Sequence, residues 1–339
     1  MKNAIGCVLN ILLAGFFLSV SVNVLSADLA VVGTPTSITI KANTAVLGGD
    51  PKVAVHEDFD AGEAGKPLNG WSLGSSHNSP PVYSNFTSVT DAFSGVSGFE
   101  GLNYNSSAEY KKLPELGSAY VSYYFRIQKL NGANSRNIKL LRLSGGYKSG
   151  YVQGIGMTQF HTYNNGIFLQ ASIDNAESKV PAVWIGDYSD GKWHRAEYYT
   201  RLSNPAGAKN GATFLRVDGK VLANMNNIVN EEAGMRYKWL TLPYYVAHDA
   251  GGDYKIYYDN VIVSEGRARV EMCDSDTYST CKIPSLAKVL SWTSSEVQIS
   301  VGNFNGANPF LFVFDENDVL LNEKGIKFCP KCPKPPMAL

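Results

Sequence analysis

Punctuation constrains this chain most: from Val53 onward it runs in short β-rich segments broken by Gly, Asn, Pro and Asp, and none keeps a helical period over three turns. The segments 53–59, 120–127, 138–143, 155–163, 167–173, 193–202, 213–217, 239–246 and 254–263 carry the Val, Ile, Tyr, Phe and Thr that suit a pleated surface. Many short strands without helices between them exclude a doubly wound α/β fold and predict an all-β antiparallel sandwich or barrel. Two hairpins stand out. Asn164-Asn165-Gly166 separates two alternating runs, and Asp218-Gly219 lies between FLRV and KVLA. Both turns call for positive φ, which Gly and Asn tolerate.

Residues 1–27 read as a signal peptide: Lys2, an uncharged apolar run from Ile5 to Val24, then Ser26 and Ala27. Gly6, Asn10 and Gly15 interrupt the run, so cleavage after Ser26 or Ala27 is expected rather than a retained membrane span. Cys7 lies at the start of the apolar run instead of following it, which speaks against a lipoprotein. Basic and acidic residues number 30 each, so the loss of Lys2 leaves the mature chain nearly neutral. Neither nucleic acid nor an acidic membrane surface is therefore favoured as a partner. Gly, Ser, Asn and Tyr supply the polar character, a mixture suited to neutral, hydroxyl-rich ligands outside the cell.

The last quarter differs. GRARVEMCDSDTYSTCK leads into further strands at 289–292, 297–301, 310–315 and 325–328. A unit of about 60 residues is short of core and usually needs a staple. The four cysteines beyond the signal all lie here: Cys273 and Cys281 around DSDTYST, and Cys329 and Cys332 in a C-x-x-C. Export predicts two disulfides, with three pairings open. A redox C-x-x-C should open a helix, which CPKCPKPP does not allow, and the spacing gives zinc little support. The expected organisation is a signal at 1–27, a leader or linker at 28–52, a large β unit at 53–264, a small β module at 265–328 and a Cys/Pro-rich tail at 329–339.

HEDFD at 56–60, AYVSYYFRI at 119–127, DGKWHRAEYY at 190–199, NGATFLRVDGKVL at 210–222 and YKIYYDNVIVS at 254–264 resemble strands of concanavalin A-like jelly rolls. That superfamily includes legume-type lectins, laminin-G-like modules, family 16 glucanases and several polysaccharide lyases. The resemblance implies a jelly-roll sandwich over 53–264 and leaves activity open, because function sits in sites grafted onto this fold. VLSWTSSEVQISVGNF and FLFVFDENDVLLNEKGIKF are similar to a small immunoglobulin-like or IPT-type module, which implies a spacer or adhesive unit.

Several residues are candidates for chemistry. Gln159, His161 and Tyr163 share one strand face by the period of two. In the jelly-roll uronate lyases that this Q-x-H resembles, Gln or Arg binds the sugar carboxylate while His or Tyr removes the proton beside it. Arg142 is then the candidate cation, and a Tyr from LPYY at 242–245 or YKIYY at 254–258 the candidate acid. The lyases' own Arg-bearing and Tyr-Lys-Tyr motifs are not matched, and the glucanase signature E-x-D-x-x-E is absent. Trp193, Arg195 and Glu197 alternate with His194, Ala196 and Tyr198 on a strand that the resemblance makes structural, with Trp193 in the core. Glu57, Asp58 and Asp259, with Asp60 near them, resemble carboxylates that hold one structural calcium in sugar-binding jelly rolls; a solvated acidic strand end is the alternative. No other cofactor is implied. Tyr163, Trp184, Tyr245 and His248 are the candidate ligand contacts, since flat rings stack on sugar faces.

The expectation is a secreted protein, periplasmic, cell-surface or extracellular, that binds a polysaccharide or adheres to a surface through the concave face of a jelly roll. A polysaccharide lyase using Arg142, Gln159 and His161, and a structural matrix or appendage component, are the alternatives.

Overall fold

The computed structural model describes residues 29–34, 37–42, 47–61, 70–75, 85–86, 93, 99–101, 107–129, 138–148, 151–153, 157–163, 166–172, 183–186, 188–230, 236–242, 245–246, 254–282, 284–300 and 310–328. Among these the chain is all β, with antiparallel pairing throughout and a single 3-10 turn at Tyr278–Thr280. No helix among them is long and apolar enough to cross a membrane.

The largest sheet orders Lys220–Ile228, Gly211–Val217, Asp190–Arg201, Ser118–Lys129, Tyr254–Ser264, Phe99–Gly101 and Asn85–Phe86, with Val53–Glu57 also paired to Tyr254–Ser264. Side chains alternate across it. On Ser118–Lys129, Val121, Tyr123, Phe125 and Ile127 face the core beside Tyr198 and Tyr258, whereas Tyr120, Ser122 and Tyr124 face the other way. A second sheet orders Arg142–Ser144, Tyr237–Leu242, Ser107–Leu116 and Ser72–Ser75 and packs Leu143, Leu240, Leu242 and Leu113 against the first. Each such fully buried side chain contributes roughly 1.5–3 kcal/mol. Polar contacts within the core include the Tyr258 hydroxyl, which donates to the Leu140 carbonyl at 2.6 Å, and the Thr200 and Tyr237 hydroxyls, which lie 2.9 Å apart.

Both expected hairpins form. Val217 stands opposite Lys220, with Asp218 at φ 48° and Gly219 at φ 75°. Positive φ at both loop positions matches the right-handed twist of the flanking strands. Tyr163 stands opposite Gly166, while Asn164 and Asn165 lie outside the described residues.

The segment read as a leader or linker is instead part of the second unit. Leu29–Thr34 and Ser37–Ala42 form a hairpin whose inner strand pairs with Glu296–Ser300, giving a sheet completed by Lys288–Trp292. Its partner sheet orders Ser285–Leu286, Arg269–Cys273, Phe310–Phe314 and Ile326–Lys327. The cause is legible in SITIKA: Ile38 and Ile40 alternate onto one face and bury against Val297, Ile299, Val270 and Leu311. The chain thus enters this unit, leaves it to build the large one, and returns. Where the outgoing and returning segments cross, Glu265 N and Gly266 N donate to the Pro51 carbonyl at 2.9 and 3.0 Å, and Lys52 pairs with Glu265 at 2.8 Å. Cys273 and Cys281 are joined in a disulfide; Cys329 and Cys332 lie outside the described residues.

The second unit sits on the outward face of the largest sheet through a buried charge network. Arg195 grips Glu271 with two bonds of 2.8 and 2.9 Å, and Arg216 grips Glu197 at 2.7 and 2.9 Å. Arg269 reaches Glu271 and, at 2.6 Å, Asp318. Tyr120 donates to Glu197 at 2.7 Å and Tyr278 to Glu271 at 2.8 Å. Three guanidiniums therefore meet three carboxylates, so the network is neutral. Burial alone would raise the carboxyl of Glu271, yet the guanidiniums of Arg195 and Arg269 hold it far below the usual range. Glu197 is held low in the same way, against burial, by Arg195 and Arg269.

Candidate functional site

One outward face of the large unit is thus occupied by the second unit. The other belongs to the second sheet, and strand register assigns its rows. Arg142 stands opposite Thr241, Thr241 opposite Tyr110 and Tyr110 opposite Ser72; two residues along, Ser144 stands opposite Trp239 and Trp239 opposite Lys112. Opposed residues share a face. Because Leu143, Leu240 and Leu242 face the core, Arg142, Thr241, Trp239 and Lys112 face away from it. Lys112 is exposed and Trp239 half-buried, whereas Arg142 is only 2% exposed and Thr241 is fully buried. One face therefore carries a surface cation, an indole and a deep guanidinium. A flat ring suits the apolar side of a sugar, and guanidinium pairs with carboxylate in two parallel bonds.

The strands bearing the lyase candidates lie together. Met157–Tyr163, which carries Gln159, His161 and Tyr163, runs beside Ile138–Lys139 and Arg142–Ser144. Tyr245–Val246 pairs with Ile138–Lys139, so that Tyr245 stands opposite Lys139. Trp184 lies on Val183–Gly186, opposite Phe168, in the sheet that Met157–Tyr163 begins. His248 lies outside the described residues. The deep end of the site is held from behind, because the carbonyl of Leu140, two residues before Arg142, is the acceptor of the Tyr258 hydroxyl.

The other proposed source of an acid, 254–258, is removed by this arrangement. Tyr254–Ser264 belongs to the largest sheet; Tyr258 is buried in the core, and Tyr257 lies on the far face with Arg126 4.1 Å from its ring. Of the two proposed sources of an acid, 242–245 stays on the Arg142 side, where Tyr245 is described and Tyr244 lies outside the described residues. Trp193 is not in the core as expected. Its strand turns His194, Ala196 and Tyr198 inward, and Trp193 joins Phe93, Tyr257 and Arg126 on the far face. The residue pattern W-H-R fixes only the alternation, not which side is the core.

His194 is a structural clamp. Its Nδ1 lies 2.6 Å from Asp218 and its Nε2 2.9 Å from Asp190, which ties the Asp218-Gly219 turn to the start of its own strand. Burial would lower its pKa, but the two carboxylates raise it above the ordinary value.

The three carboxylates expected to share a calcium do not converge. Glu57 follows Val55 onto the core side, where it accepts the Trp71 indole N–H at 3.3 Å and burial raises its pKa. Asp259, opposite Tyr124 on the far side, accepts the backbone N–H of Phe93 at 3.0 Å and of Asn260 at 2.7 Å. Asp58 is exposed and accepts the Asp60 N–H at 3.3 Å. Among the described residues the one trio of potential metal-binding side chains close enough to share an ion is Cys273, Asp274 and Cys281, whose cysteines are spent in the disulfide.

Sequence reasoning missed Trp239, Lys112 and Tyr110 as a group. Trp239 opens a recognised strand run, but Ser107–Leu116 reads SAEYKKLPEL, whose lysines and proline hide the strand. Only register joins the two.

No protein-family model matches the chain, and no curated protein matches it. Solved structures similar to it include an endo-β-1,4-glucuronan lyase from the fungus Trichoderma reesei, at 13% identity over 59% of this chain and 93% of that one with a TM-score of 0.42. The cellulose-induced protein Cip1 is 10% identical over 62% of this chain and 97% of its own, with a TM-score of 0.45. The alginate lyase Aly36B is 12% identical over 63% and 97%, with a TM-score of 0.41. At TM-scores under one half, nothing that these proteins bind or cleave is carried over to this chain.

Proposed function

We propose that this is an exported jelly-roll protein that binds an acidic, uronate-bearing polysaccharide across the outward face of its second sheet. The observation that supports the reading is the register that sets Lys112, Trp239 and Arg142 on one face of three neighbouring strands. An indole gives a sugar ring its stacking surface, and cations on either side of it answer carboxylates spaced along a polymer. The other outward face is closed to this role because the second unit covers it through the Arg195–Glu271 network. Affinity electrophoresis of the wild type against alginate, glucuronan, a glycosaminoglycan and a neutral glucan tests the reading. Retardation by at least one acidic polymer and not by the neutral one is expected; equal behaviour in all four gels would sink it.

Cleavage of that polymer by β-elimination is the second reading, favoured by the adjacency of the strands bearing Arg142, Gln159, His161 and Tyr245. Arg142 and Gln159 hold the uronate carboxylate and stabilise the charge that develops as His161 takes the α-proton. The electron pair of the broken C–H bond forms a double bond within the ring, the adjacent bond to the leaving oxygen breaks, and Tyr245 gives that oxygen its proton. Absorbance from unsaturated uronate ends is the readout. Activity lost in both His161→Ala and Tyr245→Phe supports it, and binding without any new absorbance leaves a lectin.

A further inference from the structure

The largest sheet and the second sheet each bury a threonine whose hydroxyl the fold leaves without a hydrogen bond. Thr213 is 1% exposed and Thr241 fully buried, and among the described residues neither Oγ1 has a partner. A buried hydroxyl with no partner costs stability. Where the fold provides one it is used, as at Thr200, which lies 2.9 Å from the Tyr237 hydroxyl. The two threonines differ in where they point. Thr213 shares its strand face with Leu215 and Val217, which belong to the core. Thr241 lies between Leu240 and Leu242, both in the core, so its side chain is on the outward face of the second sheet.

Register fixes its surroundings there. Thr241 stands between Arg142 and Tyr110, and the next row sets Trp239 between Ser144 and Lys112. Alternate residues of a strand are about 7 Å apart, so a sugar ring stacked on Trp239 brings its own substituents, or those of the next ring, to Thr241. The hairpin formed by Gly146–Lys148 and Tyr151–Gln153 runs beside Tyr237–Leu242. Gly145, Gly146, Gly150 and Gly154 punctuate it, which gives a cover the backbone freedom to admit a ligand. A hydroxyl kept dry and unbonded on a binding face is a preorganised donor, and the neighbouring Arg142 guanidinium favours an anionic acceptor.

We propose that Thr241 is a specificity residue of this face, donating its hydroxyl to a carboxylate oxygen of the uronate seated at the Arg142 end. The inference rests on the binding role proposed above and names a contact that role does not require. Calorimetric titration of the intact mature protein with a glucuronan or alginate oligosaccharide, paired with thermal unfolding of the ligand-free protein, tests it. Thr241→Val is expected to weaken binding roughly tenfold or more and to raise the unfolding midpoint by about 2–4 °C, because a methyl replaces an unpaired hydroxyl. Thr213→Val should raise the midpoint similarly and leave affinity within about twofold of wild type. Thr241→Ser, which keeps the hydroxyl, should bind within about threefold. Thr241→Cys should react with a small thiol reagent in the native protein above the wild-type background, and the oligosaccharide should slow that reaction. Undiminished affinity or a lowered midpoint in Thr241→Val would overturn the proposal, as would an equal loss of affinity in Thr241→Ser or reaction of Thr241→Cys in denaturant alone. Each of those outcomes leaves wild-type binding, and with it the function proposed above, in place; a wild type that binds no acidic oligosaccharide removes both.

Discussion

The two outward faces of the large unit are built from opposite materials. On the largest sheet, Arg195, Glu197, Tyr120 and Ser122 are buried and bonded to one another or to Glu271 and Arg269 of the second unit, so that every charge is answered by a neighbour. On the second sheet, Lys112 is exposed, Trp239 is half-buried and the deep cation Arg142 shares its row with Thr241. Polar residues on a strand therefore do not by themselves mark a ligand surface. What separates the two faces is that the second unit covers one of them, whereas the other carries an exposed lysine and a half-buried indole.

The comparison breaks most visibly at Glu271. Glu271→Ala leaves three buried guanidiniums facing two carboxylates and removes the bidentate partner of Arg195, and a loss of about 3–5 kcal/mol in denaturant unfolding is expected. Loss of under about 1 kcal/mol would mean that the junction holds the units together by shape alone. Cys281→Ser opens the loop closed by the Cys273–Cys281 disulfide, whose ends are 8 residues apart, and should cost about 2–3 kcal/mol without changing polysaccharide binding. On the other face the effects invert: Trp239→Ala should weaken acidic-polymer binding about tenfold, or about 1.4 kcal/mol, with a smaller stability loss than Glu271→Ala.

The smallest effects concern pH and set two histidines of the largest sheet against each other. The pKa of His194 is raised in the fold, so its contribution is complete below 6.5 and fades as pH rises through the folded value. His56 runs the other way. Burial first, and then Lys288, push it down to about 4, so the fold loses stability as pH falls from 6.5 towards that value. Unfolding free energy measured across this range should pass through a maximum, and His194→Gln should flatten its alkaline side alone.

Much of the scaffold was legible in the sequence. Alternation and turn residues announced Asp190–Arg201, Gly211–Val217 and the Asp218-Gly219 hairpin, because there the local preference and the fold agree. What escaped were facts of long-range pairing. Nothing local says that SITIKA at 37–42 pairs with residues some 260 positions later, or that Trp193 faces the far side while His194 faces in. The candidate site was legible only in part: alternation put Gln159, His161 and Tyr163 on one strand face, whereas the shared face of Lys112 and Trp239 needed the register between Ser107–Leu116 and Tyr237–Leu242. The carboxylates at 57, 58 and 259 were grouped by resemblance; the strands Val53–Glu57 and Tyr254–Ser264 are indeed partners, but the alternation of side chains sends Glu57 and Asp259 to opposite sides.

The central claim is that an acidic polysaccharide lies on the second sheet and not on the largest one. The most direct measurement is calorimetric binding of a glucuronan or alginate oligosaccharide to the wild type, to Lys112→Ala/Trp239→Ala, and to Arg126→Ala/Trp193→Ala on the far face. The account predicts a loss of affinity of tenfold or more in the first variant and an affinity within about twofold of wild type in the second. The reverse pattern, with the far-face variant losing the ligand and the second-sheet variant keeping it, would contradict it.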